Sequence, residues 1–156
     1  MDGPWLDEEQ RDAWLRLIAV VELLPGVLDA QLRRDSGLTH FEYFVLAMLS
    51  EAPGRTLRMT SLARRTNATA PRLSHVVRRM EARGLVERAA SAEDGRGADA
   101  TLTEVGWEAI VAAAPGHVAT VRRTVVDPLS REQLAQLTAI GDALLDELDP
   151  ERRMRF

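Results

Sequence analysis

Apolar residues recur every three or four positions through most of the chain, which is the spacing of one face of an α-helix. The first 36 residues carry the clearest run, formed by Trp14, Leu17, Val21, Leu24, Leu28 and Leu32. This helix also has apolar residues outside that face, including Leu15, Ile18 and Val20. A helix that must be covered on more than one side favours contact with a partner subunit.

Helix boundaries are marked by side chains that can cap the free amide groups of a first turn. The candidates are Thr39 with Glu42, Thr60, Thr69, and Ser130 with Gln133, and the acids at residues 7–9 favour the start of the first helix from Asp7. Proline–glycine pairs, in contrast, predict positions where a helix is kinked or ends. We expect Pro25-Gly26 to kink or break the first helix, and Pro115-Gly116 to bend or interrupt the helix that starts near Thr103.

The stretch from Thr60 to Arg83 predicts two short helices joined by a tight turn at residues 67–69. In the second helix the apolar stripe consists of Leu73, Val76 or Val77, and Met80. Polar and basic residues face away from it: Arg72, Ser74, His75, Arg78 and Arg79. A short helix, a turn and a basic second helix are typical of the helix-turn-helix that enters a DNA major groove.

Residues 85–104 change in character, from helical spacing to two short strands on either side of a glycine-containing loop. This pattern predicts a β-hairpin, and a further short strand is predicted at residues 55–58. Arg96 lies at the tip of the hairpin between Gly95 and Gly97. A hairpin that directly follows a recognition helix is a wing, and it must pack beside the helices to be stable.

The bulk composition excludes several classes of function. With 156 residues, 46% of them hydrophobic and none of them cysteine, the chain fits one globular domain without disulfides, thiolate metal sites or cysteine nucleophiles. His40, His75 and His117 are scattered, and no phosphate-binding glycine motif occurs. No apolar run is long enough to span a bilayer, and no signal peptide is recognised. We therefore expect a cytoplasmic protein that has no membrane partner, is not an enzyme, and uses no cofactor or metal.

Charge is unevenly distributed along a chain whose formal net charge is −4. Residues 55–88 contain nine arginines and two acidic residues, whereas both flanking segments contain more acids than arginines. Because screening at physiological salt acts over roughly 8 Å, a local basic patch can bind phosphate despite the negative total. A basic helix face is also often only a solvated surface, so charge alone leaves DNA binding open.

The phrase VVRRMEARGLVER, followed by Asp94-Gly95-Arg96 and by LTEVGWE at residues 102–108, resembles the MarR family of bacterial winged helix-turn-helix regulators. The layout of the whole chain is similar to that family as well. The resemblance implies a mainly α fold with a small β-hairpin wing. It places a winged helix-turn-helix DNA-binding region at residues 37–104 and a helical dimerisation region at residues 1–36 and 105–156.

The resemblance also implies how DNA is bound. A homodimer would place its recognition helices, at about residues 70–83, in successive major grooves of a pseudo-palindromic double-stranded operator. The wings, at about residues 86–103, would reach the adjacent minor grooves. Carried over position by position, the DNA-binding residues are Thr69, Pro71, Arg72, Ser74, His75, Arg78, Arg79 and Arg96. Asp94 matches the acid that supports the wing, and Thr60 is a further candidate for a backbone contact. His75 departs from the arginine that is frequent in the family.

Many members of the family bind small aromatic ligands between the dimerisation helices and the winged core. Residues that would line such a cleft are Trp14, His40, Phe41, Tyr43, Phe44 and Trp107. His40 and Tyr43 are of particular interest because polar tips beside an apolar pocket orient a ligand. The alternative is that aromatic residues at helical spacing simply belong to the core.

Together these features predict a ligand-responsive homodimeric DNA-binding transcriptional regulator that acts as a repressor. The alternative is a winged-helix module that mediates protein–protein assembly without sequence-specific DNA binding. The arginines of the predicted recognition helix and wing argue against this alternative. Salt dependence of DNA binding separates the two, since neutralising phosphates releases counterions.

Overall fold

A computed structural model describes residues 5–91, 93 and 95–154 of the chain. The helices and strands are α1 Glu8–Ser36, α2 His40–Glu51, β1 Thr56–Arg58, α3 Met59–Arg65, α4 Ala70–Ala82, β2 Val86–Ala90, β3 Ala98–Leu102, α5 Glu104–Val121 and α6 Arg131–Leu148. Short helical turns at Pro53–Arg55 and Arg122–Val126 precede β1 and follow α5. The predicted fold class, mainly helical with a small β-hairpin wing, is confirmed.

Most helices begin where the sequence provides a capping side chain. Three predicted caps accept a hydrogen bond from an amide of the first turn: Thr39, Thr69 and Ser130. Asp7, the predicted start of the first helix, also caps it in this way. The prediction for Thr60 is wrong, because α3 begins at Met59 with Arg58 in the N-cap position. Strand β1 pairs with β3 as far as Arg58, so the chain enters the helix too early for the Thr60 hydroxyl to cap it.

The three strands form one antiparallel sheet in the order β1-β3-β2. Strands β2 and β3 are the predicted hairpin, paired from Val86 with Leu102 to Ala90 with Ala98. Strand β1 adds a third strand, and the hydroxyl oxygens of Thr56 and Thr101 lie 2.8 Å apart across it. The third strand anchors the wing to the helical core, as an isolated hairpin requires.

One hydrophobic core joins the helices to the sheet. Its fully buried side chains include Leu32, Leu38, Leu46, Leu49, Leu62, Leu73, Val77, Met80 and Val86. Helix α4 contributes three of these residues, and Val77 rather than Val76 is the fully buried valine of its stripe. Because the buried stripe fixes the rotation of α4 about its axis, the opposite face of this helix points to solvent.

Pro25 does not break its helix, contrary to the prediction, since α1 runs without interruption from Glu8 to Ser36. Proline removes one intrahelical hydrogen bond, but Pro25 and its surroundings are exposed, so water can satisfy the freed carbonyl group. The second half of α1 packs along α5 and buries Leu28 and Leu32. This tertiary packing outweighs the local cost of the proline.

Pro115 likewise lies inside a continuous helix, because α5 extends from Glu104 to Val121. The neighbouring Gly116 has a packing role: a Cβ atom there would lie 3.0 Å from the Gln31 side-chain nitrogen of α1. Glycine therefore lets α5 pass close to α1. The helix changes its winding only beyond Val121, at the turn Arg122–Val126.

The start of α5 packs tightly on the segment that follows α4. The Thr103 hydroxyl donates to the Gly84 carbonyl oxygen at 2.6 Å and accepts from the Gly106 amide at 3.0 Å. A Cβ atom on Gly106 would lie 2.1 Å from the Leu85 carbonyl oxygen. Gly84 has φ of +70°, a left-handed conformation that favours glycine. These contacts give a physical reason for the glycines of the GLVER and LTEVGWE phrases.

Candidate nucleic-acid interface

Helix α4 presents a basic face to solvent. Thr69 caps the helix by accepting a hydrogen bond from the Arg72 amide at 3.4 Å, and Pro71 lies in the first turn, where a missing amide hydrogen is tolerated. The predicted contact residues of this helix lie on its outward face: Pro71, Arg72, His75, Arg78 and Arg79 are exposed, and Ser74 is partly buried. The structure thus brings these predicted residues together on one surface.

Arg72 stacks on an aromatic ring of the neighbouring helix. Its guanidinium carbon lies 4.1 Å from the centre of the Phe41 ring, in the first turn of α2. A cation–π contact of this kind restrains the side chain without consuming its N–H donors. Arg72 is therefore held in place with donors available for a phosphate or a base edge.

Glu42 is a buried acid that joins α2 to the other end of α4. Its side chain is 2% exposed, and it accepts a hydrogen bond from the Thr39 amide at 2.9 Å, which closes the capping box. Glu42 Oε1 lies 3.5 Å from the Arg79 guanidinium, and Oε2 lies 3.3 Å from that of Arg83. Arg83 also donates to the Gly37 carbonyl oxygen at 3.2 Å. Arg79, although 55% exposed, is therefore partly neutralised from inside the protein.

Arg78 lies along the outer surface of its own helix, where its Nε donates to the Ser74 carbonyl oxygen at 3.4 Å. Within the described part of the chain, no carboxylate is within ion-pair distance of Arg78. The carboxylate of Glu81 accepts hydrogen bonds from the Arg88 amide at 3.1 Å and the Arg88 guanidinium at 2.9 Å. This pair ties α4 to strand β2, so the recognition helix and the wing are held in a fixed relation.

The wing carries an exposed Arg96 at its tip. Gly95 and Gly97 on either side have φ of +65° and +80°, which a residue with a side chain rarely adopts. The Gly95 amide donates to the Ser91 carbonyl oxygen at 3.0 Å, and the Ser91 amide to the Gly97 carbonyl oxygen at 3.2 Å. These hydrogen bonds join Ser91 to the two glycines on either side of Arg96.

Arg58 supports the wing from strand β1, and sequence reasoning missed this role. Its guanidinium donates to the Arg96 carbonyl oxygen at 2.7 Å and lies 3.7 Å from the Glu93 carboxylate. The sole signal in the sequence is a basic residue at the end of the predicted strand 55–58. Asp94, which was predicted to support the wing, lies outside the described residues.

A shallow groove between α2 and α5 contains two of the residues predicted for a ligand pocket. Tyr43 and Trp107 line a volume of about 230 Å³ together with Ala47, Ser50, Glu51, Ile110, Val111 and Ala114. Phe44 is partly buried against the hydrophobic core. Trp14 is not among the lining residues, and it lies 51% exposed on α1.

His40, the remaining pocket candidate, packs against His117 next to Tyr43. The two imidazole ring centres are 6.4 Å apart, and the His117 ring lies 4.4 Å from the Tyr43 ring. Burial lowers the pKa of both histidines; His40 lowers that of His117 further, while Asp29 partly offsets the effect on His40. Burial thus favours the neutral form of both rings. Among the described residues, no group of three or more His, Cys, Asp or Glu side chains is arranged to hold a metal ion.

A second large surface is apolar. Within the described chain no residue of α6 is buried, and this helix exposes Leu137, Ile140, Leu144 and Leu148. The first part of α1 likewise exposes Trp14, Leu15, Val20, Val21 and Leu23. An apolar groove between α1 and the turn after α5 is lined by Ala19, Val20, Leu23, Leu24, Val27, Thr124 and Val125. Among the described helices, none is both long enough and apolar enough to cross a membrane.

The three-stranded sheet, the basic outward face of α4 and the wing that follows it define a winged helix-turn-helix DNA-binding protein. Residues 36–97 match the family model described as MarR family. The chain belongs to the MarR family of transcriptional regulators. The predicted resemblance to this family is thereby confirmed.

Relatives of known structure and name agree with this assignment. Sco3205 of Streptomyces coelicolor, a MarR family transcriptional regulator crystallised in complex with DNA, is 42% identical with a TM-score of 0.89, over 94% of this chain and 95% of that one. AbsC of the same organism is 38% identical with a TM-score of 0.88, over 94% and 98% of the two chains. The HTH-type transcriptional repressor Rv2887 of Mycobacterium tuberculosis is 39% identical over 111 residues, which span 67% of this chain and 76% of the relative. All three relatives are transcriptional regulators.

Proposed function

We propose that this protein is a homodimeric repressor that reads a pseudo-palindromic operator with α4 and the wing, and that releases it when a small aromatic effector binds. The observation that carries the proposal is the outward face of α4, where Arg72, His75 and Arg78 are exposed beside a wing tipped by Arg96. The apolar surface of α1 and α6 provides a means of pairing two such faces.

The DNA contacts divide by chemistry. Arg72 and Ser74 in the first turns of α4 face base edges, because the N-terminal residues of a recognition helix enter the major groove. Thr69 and Pro71 lie at the helix start, where amide groups favour phosphate oxygens. Arg78, with support from Arg79 and His75, contacts the backbone or a guanine edge. Arg96 reaches the minor groove, whose negative potential attracts arginine. The complex of Sco3205 with DNA supports DNA as the ligand of this chain.

The dimer is proposed from the apolar helices. Leu148 is 75% exposed and Leu23 is 69% exposed in a single protomer, and they lie on α6 and on the first part of α1, where further apolar side chains are also exposed. Burying such a face stabilises a dimer by about 25 cal/mol per Å² of apolar area before the costs of association. A two-fold axis through α1 and α6 would present two recognition helices to one side of a duplex, which matches a pseudo-palindromic site.

The effector is proposed at the groove that contains Tyr43 and Trp107. A ligand there would touch α2, which packs on the DNA-reading core, and α5, which continues toward the dimer surface. Such a ligand weakens DNA binding by as much as its affinity differs between the DNA-competent and DNA-incompetent dimers. The repressor name of Rv2887 supports repression as the regulatory outcome.

The test begins with a pool of random-sequence duplexes, from which the full-length protein selects its preferred site. Affinity for that duplex, measured at several salt concentrations, is expected to fall steeply with salt. Changing Arg78 to Ala is expected to reduce the slope of log affinity against log salt by about 0.9 per lost phosphate contact, or about 1.8 for a dimer. Arg96→Ala, which removes a charge from the minor groove, is expected to reduce the slope in the same direction.

Arg16→Ala is the matched control, since it removes an exposed arginine from α1, where it pairs with Asp12. Its slope should equal that of the wild type. A wild-type protein that selects no sequence and does not bind duplex DNA at low salt would favour the assembly module instead. Equal slopes for the wild type, Arg78→Ala and Arg96→Ala would show that the contact residues are wrongly assigned.

A further inference from the structure

One buried carboxylate connects the recognition helix to α2. Glu42 is 2% exposed, and its two oxygens face Arg79 and Arg83, which are one helical turn apart at the end of α4. We propose that Glu42 is the positioning residue of the recognition helix. By holding Arg79 and Arg83 it sets the angle between α4 and α2, and thereby the register in which the outward side chains of α4 meet the base edges. This inference rests on the proposed DNA-reading function of α4.

The burial of Glu42 makes its arginine contacts directional. A carboxylate removed from water is costly unless it is paired and hydrogen-bonded, so the position of α4 that keeps Arg79 and Arg83 on Glu42 is strongly favoured over positions that separate them. The planar Arg83 guanidinium donates to Oε2 at 3.3 Å along a fixed direction, which adds an angular restraint, whereas Arg79 approaches Oε1 at 3.5 Å as a charge contact without a hydrogen bond. Glu42 itself cannot follow a displaced α4, because its Oε2 also accepts from the Thr39 amide.

The first turn of α2 contacts α4 near both of its ends. Phe41 lies under Arg72 in the first turn of α4, and the adjacent Glu42 pairs with Arg79 and Arg83 in the last. Arg83 is in turn bonded to the Gly37 carbonyl oxygen, where α1 ends. A displacement of α1 relative to α2 would therefore be passed to the recognition helix through Glu42 and Arg83.

The substitution Glu42→Gln distinguishes the positioning role of Glu42 from its role in helix capping. Glu42→Gln keeps an oxygen acceptor for the Thr39 amide, since glutamine also serves at the third position of a capping box, but it removes the charge that holds both arginines. Thr39→Ala is the matched control: it removes the cap hydroxyl of the same helix turn and leaves the carboxylate facing Arg79 and Arg83.

The readout is the ratio of affinities for the selected duplex and for a duplex of the same composition in scrambled order. It is measured at a temperature where circular dichroism shows every variant to be folded. Glu42→Gln is expected to lower this ratio about tenfold, the effect of one mismatched base pair. Affinity for the scrambled duplex should be unchanged or higher, because Arg79 and Arg83 are released to phosphate. Thr39→Ala is expected to keep the wild-type ratio.

If Glu42→Gln keeps the wild-type affinity ratio, the proposal is overturned. It is also overturned if the ratio falls equally in Glu42→Gln and Thr39→Ala, because the effect would then come from a less stable α2. If Glu42→Gln does not fold, Arg83→Ala is the variant that tests the positioning role. It removes the partly exposed Arg83 side chain and leaves Glu42 paired with Arg79. A reduced ratio there supports the positioning role, and a wild-type ratio refutes it. A wild-type protein without preference for any selected duplex would refute the proposed function itself, whereas a preference that survives every variant would refute the inference alone.

Discussion

Adding one methyl group to Gly106 is expected to destabilise the protein strongly. A Cβ atom there would lie 2.1 Å from the Leu85 carbonyl oxygen and 2.6 Å from a methyl carbon of Leu102, so α5 must move away from the wing segment. Overpacking of this kind costs about 1–3 kcal/mol, and a shift also strains the hydrogen bonds of Thr103 to Gly84 and Leu85, worth about 1 kcal/mol each. We expect Gly106→Ala to lower the free energy of unfolding by about 3–5 kcal/mol.

The assay is urea unfolding followed by circular dichroism at one fixed protein concentration, because the stability of the proposed dimer would depend on concentration. Gly26→Ala is the matched control, since Gly26 is also helical and a Cβ atom there would meet nothing within 4 Å. It is expected to raise stability by about 0.5–1 kcal/mol through helix propensity. A Gly106→Ala variant as stable as the wild type would refute the packing of α5 on the Leu85 carbonyl group.

Three further outcomes are expected. The pKa values of His40 and His117 are lowered from 6.5 in the folded protein, so the unfolded state binds more protons than the folded state. The free energy of unfolding is therefore expected to fall as the pH drops below about 6.5. The pKa values of Asp29 and Asp149 are also lowered, but they affect stability only in more acidic solution. Thermal unfolding across this pH range measures the loss, and a His40→Gln/His117→Gln double variant with an unchanged pH slope would contradict it. Leu144→Asp on α6 is expected to give monomers in sedimentation, while Ala89→Asp on the wing should leave the assembly unchanged; a dimeric Leu144→Asp would place the interface elsewhere. Aromatic compounds that bind the groove should alter Trp107 fluorescence and release the selected duplex in parallel; a broad screen with no such compound would remove the effector from the proposal.

Local chemistry made much of the fold predictable. Thr39 and Ser130 cap helices through contacts three residues away, and the apolar stripe of α4 determines which side chains face outward, so both could be inferred from neighbouring positions. Pro25 was misjudged because its local cost is offset by the packing of α1 on α5. That packing depends on residues far apart in the chain and leaves no short-range pattern.

The candidate site, like the fold, has a part that local sequence pattern predicts and a part that depends on long-range contacts. Arg72 and Arg78 could be placed on the outward face of α4 from helical spacing alone. The partners that orient this helix could not, because Phe41 and Glu42 reach it from another helix about thirty to forty residues earlier. The sequence predicts Glu42 only as the second residue of a capping box; the capping box is confirmed, but the pairing of Glu42 with Arg79 and Arg83 is not predicted. The spacing of apolar residues along the chain does not predict that the Glu42 side chain also pairs with a distant helix, α4.

The most direct test of the central claim is methylation protection of the selected duplex by dimethyl sulfate. This reagent attacks guanine N7 in the major groove and adenine N3 in the minor groove, so it reports on α4 and the wing separately. Two protected guanine clusters about 10 base pairs apart, flanked by protected adenines, are predicted for a two-fold dimer. Arg96→Ala should lose the adenine protection alone, and Arg72→Ala should weaken the guanine protection. Protection without two-fold symmetry, or adenine protection that survives Arg96→Ala, would contradict the account.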